Sequence, residues 1–273
     1  MSRKLEPFEL FAIRYAKHTG RCSSDNFVGG DIHESASDLD YFVWVARRSD
    51  KVFVMDTGFG PEAARERGRE LYRLPTEALN LVGVDSASLE DVILTHLHYD
   101  HAGTLDSFPR ARFHIQDAEA AYATGPCMCH PFLRHPYDVN NVVSFVRKLY
   151  AGRVSFHRDV TELASGLTLH RIGGHSPGLQ VVRVWTRRGW VVIASDATHL
   201  YANFQRRLPF PVVYNVASML EGHEALRQLA DSEDHIVPGH DPLVMQLYPP
   251  PSVELEGIVV RLDTPPSFRP TPG

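Results

Sequence analysis

The chain has 273 residues, a formal charge of −5, 43% hydrophobic and 22% charged residues. This is ordinary globular composition, long enough for one α/β sandwich with a large core, and its acidic balance gives no reason to expect nucleic acid or an anionic membrane as a partner. No apolar run approaches the roughly 18 residues of a membrane span. Met1–Pro7 lacks the apolar core of a signal peptide, so a cytoplasmic location is expected.

In chain order, residues 8–16 read as a strand, and Cys22 to Asp40 as a polar, glycine-bearing loop. Tyr41–Ala46 and residues 51–55 read as two strands joined by a hairpin turn at Arg47-Arg48-Ser49-Asp50. Pro61, at the favoured first helical position, opens a helix predicted through Leu71, and Thr76–Val82 forms a second. Strands follow at 92–95 and 112–116, and Asp117 is predicted to cap a short alanine-rich helix. Gly125 to Pro136 is a breaker-rich insertion. A helix over Asp138–Tyr150 then carries Val142, Val143, Phe145, Val146 and Leu149 on its apolar side. Strands recur at 154–157, 167–172, 179–186 and 190–195, with Arg187-Arg188-Gly189 as a turn. Ser218–Ala230 reads as a helix with Met219, Leu220, Leu226 and Leu229 inward, and the proline-rich tail from Pro249 is expected to pack loosely. No repeat at a solenoid period is present.

The chemistry concentrates at the ends of apolar runs. Thr95-His96-Leu97-His98-Tyr99-Asp100-His101-Ala102-Gly103 places three histidines and a carboxylate within six residues, just after Val92-Ile93-Leu94. Imidazole and carboxylate together suit zinc or similar divalent ions. Four such groups exceed the three protein ligands of one open catalytic site, which points to two metals. Gly173-Gly174-His175-Ser176-Pro177-Gly178, Ile193-Ala194-Ser195-Asp196 and Val237-Pro238-Gly239-His240-Asp241 supply further ligand types at strand ends. Asp56, in Asp56-Thr57-Gly58, reads either as a partner that orients a ligand histidine or as a turn former. His18, His114, His157, His170, His223 and His235 lie outside any motif and read as surface or hydrogen-bonded core residues. Of the three cysteines, Cys22, Cys127 and Cys129, none suggests a disulfide framework, and Cys127-Met128-Cys129 has poor spacing for chelation.

In this order the motifs HxHxDH, GHxPG, a later aspartate and a final GH, with an early DTG, resemble the metallo-β-lactamase superfamily across about residues 40–245. The resemblance implies an α+β fold, an αββα four-layer sandwich, with residues 1–273 as one domain. It implies that His96, His98 and His175 hold one metal, that Asp100, His101 and His240 hold the other, and that Asp196 bridges them. The cofactor expected is two divalent ions of zinc type. A water shared by such ions, its pKa lowered toward about 7, would attack a carbonyl carbon as hydroxide.

Within the superfamily the chain is most similar to the N-acyl homoserine lactonase group, the quorum-quenching enzymes. The expected activity is hydrolysis of a small-molecule lactone or ester, with an N-acyl homoserine lactone-like substrate favoured. That group usually carries a tyrosine three residues after the bridging aspartate, where it donates to the substrate carbonyl. Here His199 stands at that position and Tyr201 is close by, so Asp100, His199 and Tyr201 are the candidate catalytic residues. Another ester or thioester hydrolase of the same fold, or a mononuclear-iron oxygenase, are the competing readings. The segments Asn26–Glu34, Tyr122–Tyr137 and Phe204–Tyr214 are aromatic or apolar enough to line a pocket for an acyl chain or ring. They would equally serve as core or as a homodimer contact.

Overall fold

The computed structural model describes residues 5–268. The first four residues and the last five, which end the proline-rich tail, lie outside the described residues. The strands are β1 (Glu9–His18), β2 (Leu39–Arg48), β3 (Lys51–Met55), β4 (Glu70–Leu71), β5 (Asp91–Ile93), β6 (Arg112–Gln116), β7 (Val154–His157), β8 (Val160–Ala164), β9 (Leu167–Arg171), β10 (Gln180–Thr186), β11 (Gly189–Ser195), β12 (Ile236–Pro238) and β13 (Val259–Arg261). One sheet runs β13-β1-β2-β3-β5-β6-β7, with β4 added to β1, and the other runs β12-β11-β10-β9-β8. The first sheet is antiparallel from β1 to β3 and parallel from β3 through β7. In the second sheet only β11 and β12 pair in parallel.

The alternation of side chains along a strand fixes the layers. Leu10 and Ala12 of β1, and Phe42, Trp44 and Ala46 of β2, meet Leu169, Val182, Val184, Val191 and Ile193 of the second sheet in one buried cluster. The intervening residues, Phe11, Ile13, Tyr41, Val43 and Val45, pack outward against Ala64, Ala78, Leu79 and Phe145, which lie on helices Pro61–Glu66, Pro75–Asn80 and Val139–Tyr150. Beyond the second sheet, Phe204, Leu226 and Leu247 bring in helices Tyr201–Gln205, Val216–Leu229 and Leu243–Leu247. Helices therefore cover the outer face of each sheet, the αββα order, and burial of each large apolar side chain contributes about 1.5–3 kcal/mol.

Several local expectations are corrected. The helix from Pro61 ends at Glu66, not Leu71. Gly68 takes a left-handed conformation at φ +63, as a glycine just past a helix C-terminus does at little cost, and Glu70-Leu71 then pairs with β1. Asp117 is the first residue of its helix, not the cap, which is Gln116, and it pairs with Arg158 at 2.5 Å. Asp138 caps the next helix, its side chain accepting from the backbone of Asn140 and Asn141. The tail does not pack loosely: β13 pairs antiparallel with β1, and Val259, Val260 and Leu262 are buried. Among the described residues no helix is long and apolar enough to cross a membrane.

Candidate metal centre

The four ligand-bearing segments leave the ends of β5, β9, β11 and β12, so both sheets deliver residues to one place. Two of the turns carry backbone strain. Asp56, after β3, and Ser195, at the end of β11, are non-glycine residues in the left-handed region, at φ +62 and +45; such conformations cost about 1–3 kcal/mol and persist where neighbours enforce them. Asp56 accepts from the Thr95 backbone N–H at 2.7 Å and the Thr95 hydroxyl at 2.8 Å, and its Oδ2 lies 2.7 Å from His101 Nδ1. It therefore forms the turn and also orients the ring. Ser195 stands at a register break in the β11–β12 pairing, a device that re-aims the side chain that follows. That side chain is Asp196.

A buried carboxylate that carries no sequence signal ties the segments together. Glu119 accepts from the backbone of Leu97 at 3.0 Å, the hydroxyls of Tyr137 at 2.8 Å and Ser176 at 2.6 Å, and the backbone of Gly178 at 3.3 Å. It joins the loop bearing His96 and His98 to the loop bearing His175.

The seven residues expected at the centre converge. His96, His98, His175 and Asp196 form one group of mutually close ligand atoms, and Asp100, His101 and His240 form another. His175 Nε2 lies 2.8 Å from His98 Nδ1, 3.2 Å from His96 Nε2 and 3.2 Å from Asp196 Oδ2. On the other side, Asp196 Oδ1 lies 3.0 Å from His240 Nε2 and 3.3 Å from His101 Nε2, and Asp100 Oδ2 lies 3.5 Å from His101 Nε2 and 3.7 Å from His240 Nε2. Each oxygen of Asp196 faces a different group.

The donor set fits divalent cations. His101, His175 and His240 turn Nδ1 outward to acceptors: the Asp56 carboxylate, the Val212 carbonyl at 2.6 Å and the Asp40 carbonyl at 3.0 Å. With protons held on those nitrogens, the inner Nε2 atoms carry lone pairs. His101 Nε2 and Asp196 Oδ1 are buried and have no hydrogen-bond partner. Lone pairs and carboxylate oxygens aimed at one buried space repel one another unless a cation lies among them. Burial pushes His96 and His98 well below the usual histidine range, towards the neutral, ligating form.

His199 and Tyr201 fare differently from each other. His199 is buried and stacks on Phe210 with ring centroids 3.6 Å apart. Its Nε2 lies 3.0 Å from Asp196 Oδ2, and its Nδ1 is buried without a partner. Tyr201 does not reach in. Its ring is buried near Phe204 among the apolar residues packed with the second sheet, because it opens a helix whose first N–H is held by Asp241 Oδ2 at 2.8 Å.

A cavity of about 90 Å³ opens onto the centre and is lined by Asp100, Asp196, His199 and His240 together with Arg21, Arg69, Tyr41 and Tyr99. A larger, mostly apolar groove of about 370 Å³ adjoins it, sharing His98, His175, Pro136 and Val212. Tyr122, Phe132 and Tyr214 line that groove, so two of the three segments expected to build a pocket do so there. The Asn26–Glu34 segment borders a separate cleft. Arg21, Arg69 and Glu119 were not legible as site residues.

A family model described as the metallo-beta-lactamase superfamily matches residues 37–240. A probable metallo-hydrolase of Mycobacterium tuberculosis is 25% identical over 218 residues, covering 72% of this chain and 69% of the relative. An N-acyl homoserine lactonase of a Bacillus species is 25% identical over 245 residues, covering 83% and 92%. The crystal structure of an N-acyl homoserine lactone hydrolase, with the product N-hexanoyl-L-homoserine at its catalytic metal centre, superposes with a TM-score of 0.72 at 20% identity, covering 88% of this chain and 96% of that one.

Proposed function

The chain belongs to the metallo-β-lactamase superfamily, and on that premise we propose that it is a dinuclear-metal hydrolase, with ions of zinc type, that opens a lactone or a related ester ring. Similarity to the lactonases favours N-acyl homoserine lactone-like compounds among such substrates. The observation that carries this reading is the division of labour at Asp196: Oδ2 faces His96, His98 and His175, and Oδ1 faces His101 and His240. His96, His98 and His175 would hold one ion, Asp100, His101 and His240 the other, and Asp196 both. The two sheets then act as one unit, since neither alone supplies all seven groups.

Bound there, two divalent cations supply a water acidified toward a pKa of about 7 and a Lewis acid for a carbonyl oxygen. The protein's own groups do the rest. The adjoining groove holds the apolar part of the substrate and excludes water from one face of the ring. Asp100, on the cavity wall, takes the proton released when the water oxygen bonds to the carbonyl carbon, and returns it to the alkoxide as the ring C–O bond breaks. His199 fixes Asp196 through its hydrogen bond and acts as a positioning residue.

Elemental analysis of protein purified without chelator is expected to give two ions per chain. Asp100→Ala is expected to abolish lactone hydrolysis while the circular dichroism spectrum is unchanged. A stoichiometry that stays near one when metal is added, or full turnover in Asp100→Ala, would overturn the proposal; a single iron would point instead to an oxygenase.

A further inference from the structure

The lining of the cavity that opens onto the candidate ligands carries two cations that the hydrolytic chemistry leaves idle. Arg69 follows the left-handed Gly68. Its Nε donates to the Tyr99 hydroxyl at 3.0 Å and its Nη1 to the Arg67 carbonyl at 2.5 Å, while the Tyr99 and Tyr41 hydroxyls lie 3.2 Å apart. Arg21 donates to Asn26 Oδ1 at 2.7 Å and to the Asp25 carbonyl at 2.6 Å, and lies 2.9 Å from His18 Nδ1. All of these are neutral partners, for burial, aided by the two arginines, pushes His18 down to about 4. Neither guanidinium makes an ion pair among the described residues, whereas Arg14, Arg47, Arg48, Arg227 and Arg261 all do.

Most nearby carboxylates are already committed. Asp40 pairs with Arg14 at 3.2 Å and Asp56 with His101, while Asp25, whose charge acts on Arg21, accepts from the Cys22 backbone and thiol and makes no ion pair with it. Asp100 and Asp196 face the candidate centre, where divalent cations would more than neutralise them. Two unpaired, partly buried guanidiniums in so small a space focus a positive potential. Their forked N–H groups match a carboxylate better than any neutral acceptor. At about 90 Å³ the cavity takes a small head group, and the apolar groove beyond the shared His98 and His175 takes the remainder of the same molecule.

We propose that Arg69, supported by Arg21, binds a carboxylate of the substrate other than the group under attack, so that the preferred substrates are anionic lactones or esters: an apolar or aromatic body, a scissile carbonyl and a free acid. This rests on the hydrolase reading above and narrows its substrate class away from neutral N-acyl lactones.

The test compares γ-lactones that bear a free carboxylate, such as a carboxyphthalide, with their methyl esters, in metal-loaded wild type, Arg69→Gln, Arg69→Lys and Arg21→Gln. Calorimetric binding of the corresponding lactams, which are not opened, is measured alongside. Wild type is expected to favour the acids in kcat/KM, and the charged lactams in affinity, by about 10–100-fold, the worth of a charge-assisted forked hydrogen bond. Arg69→Gln is expected to erase that preference, the ratio of acid to methyl ester in kcat/KM falling to about one, and Arg69→Lys to keep only part of it. If Arg69→Gln does not fold, Arg21→Gln and the wild-type comparison still decide. Equal treatment of acids and esters by wild type, or a preference that survives in every folded arginine variant, overturns the proposal and leaves the hydrolase reading intact. If no lactone is opened but the charged lactams still bind in an Arg69-dependent way, the hydrolase reading fails and the anion site stands. Without turnover and without that binding preference, both fail.

Discussion

At position 199, where the resemblance to the lactonase group implies a tyrosine that donates to the substrate, the chain offers an imidazole whose Nε2 is 3.0 Å from Asp196 Oδ2. The stack on Phe210 holds the ring in that orientation. A donor engaged with the aspartate that faces both candidate ligand groups is not free for an oxyanion, so its loss should act through the metals. His199→Ala is expected to lower kcat and also to weaken retention of metal against a mild chelator. Loss of a pure oxyanion donor would instead cost about 10²–10³ in kcat with metal retention unchanged. Tyr201→Phe is expected to be near normal in both, since its ring is buried in the apolar cluster with Phe204 and does not line the cavity. Impaired turnover in Tyr201→Phe beside a normal His199→Ala enzyme would reverse these assignments.

The ends of the strands place the centre, and one carboxylate on a neighbouring helix holds two of those ends together. Removing Glu119 would leave the Leu97 and Gly178 N–H groups and the hydroxyls of Tyr137 and Ser176 without their acceptor in the interior. An unpaired buried donor costs about 1–3 kcal/mol, so Glu119→Ala is expected to lower unfolding free energy by at least about 3 kcal/mol in urea titrations. It should also weaken metal affinity, because the segments it joins carry His96, His98 and His175. A loss below about 1 kcal/mol would mean that water or a rearranged loop replaces the carboxylate. Packing is equally unforgiving at Gly178, where an added Cβ would lie 2.1 Å from the Glu119 backbone nitrogen. The ligand segments were legible because each follows an apolar run and carries a compact polar motif. Glu119 was not, since a lone carboxylate in an alanine-rich helix looks like any solvated residue until the fold closes over it. Arg69 was hidden for a different reason: the helical pattern from Pro61 runs on past Gly68, and only pairing of Glu70-Leu71 with β1 shows that the chain has turned.

Across the whole molecule, short segments defined by tertiary pairing were the ones the sequence concealed. β13 is three residues amid prolines and glycine, and β8 and helices Tyr201–Gln205 and Leu243–Leu247 are each only five residues long. Long strands such as β1, β2 and β10 announce themselves through runs rich in apolar, aromatic and β-branched residues and form a frame that needs no ligand. The four segments that leave this frame at the centre are in the opposite condition, because they converge on inward-facing nitrogens and carboxylates that repel without a cation. Stability and metal occupancy should therefore be linked through these segments. Ions that bind only the folded state, at a thousandfold excess over Kd, stabilise it by about 4 kcal/mol. For a chain of this size, that corresponds to a fall in Tm of about 8–16 °C on chelation. Hydrogen exchange on the chelated protein is expected to show faster exchange at residues 94–104, 173–178, 196–200 and 239–242, while β2 and β10 keep their protection. A Tm unmoved by chelator, or exchange that quickens evenly across both sheets, would mean that the centre is held by the frame alone and owes nothing to a cation.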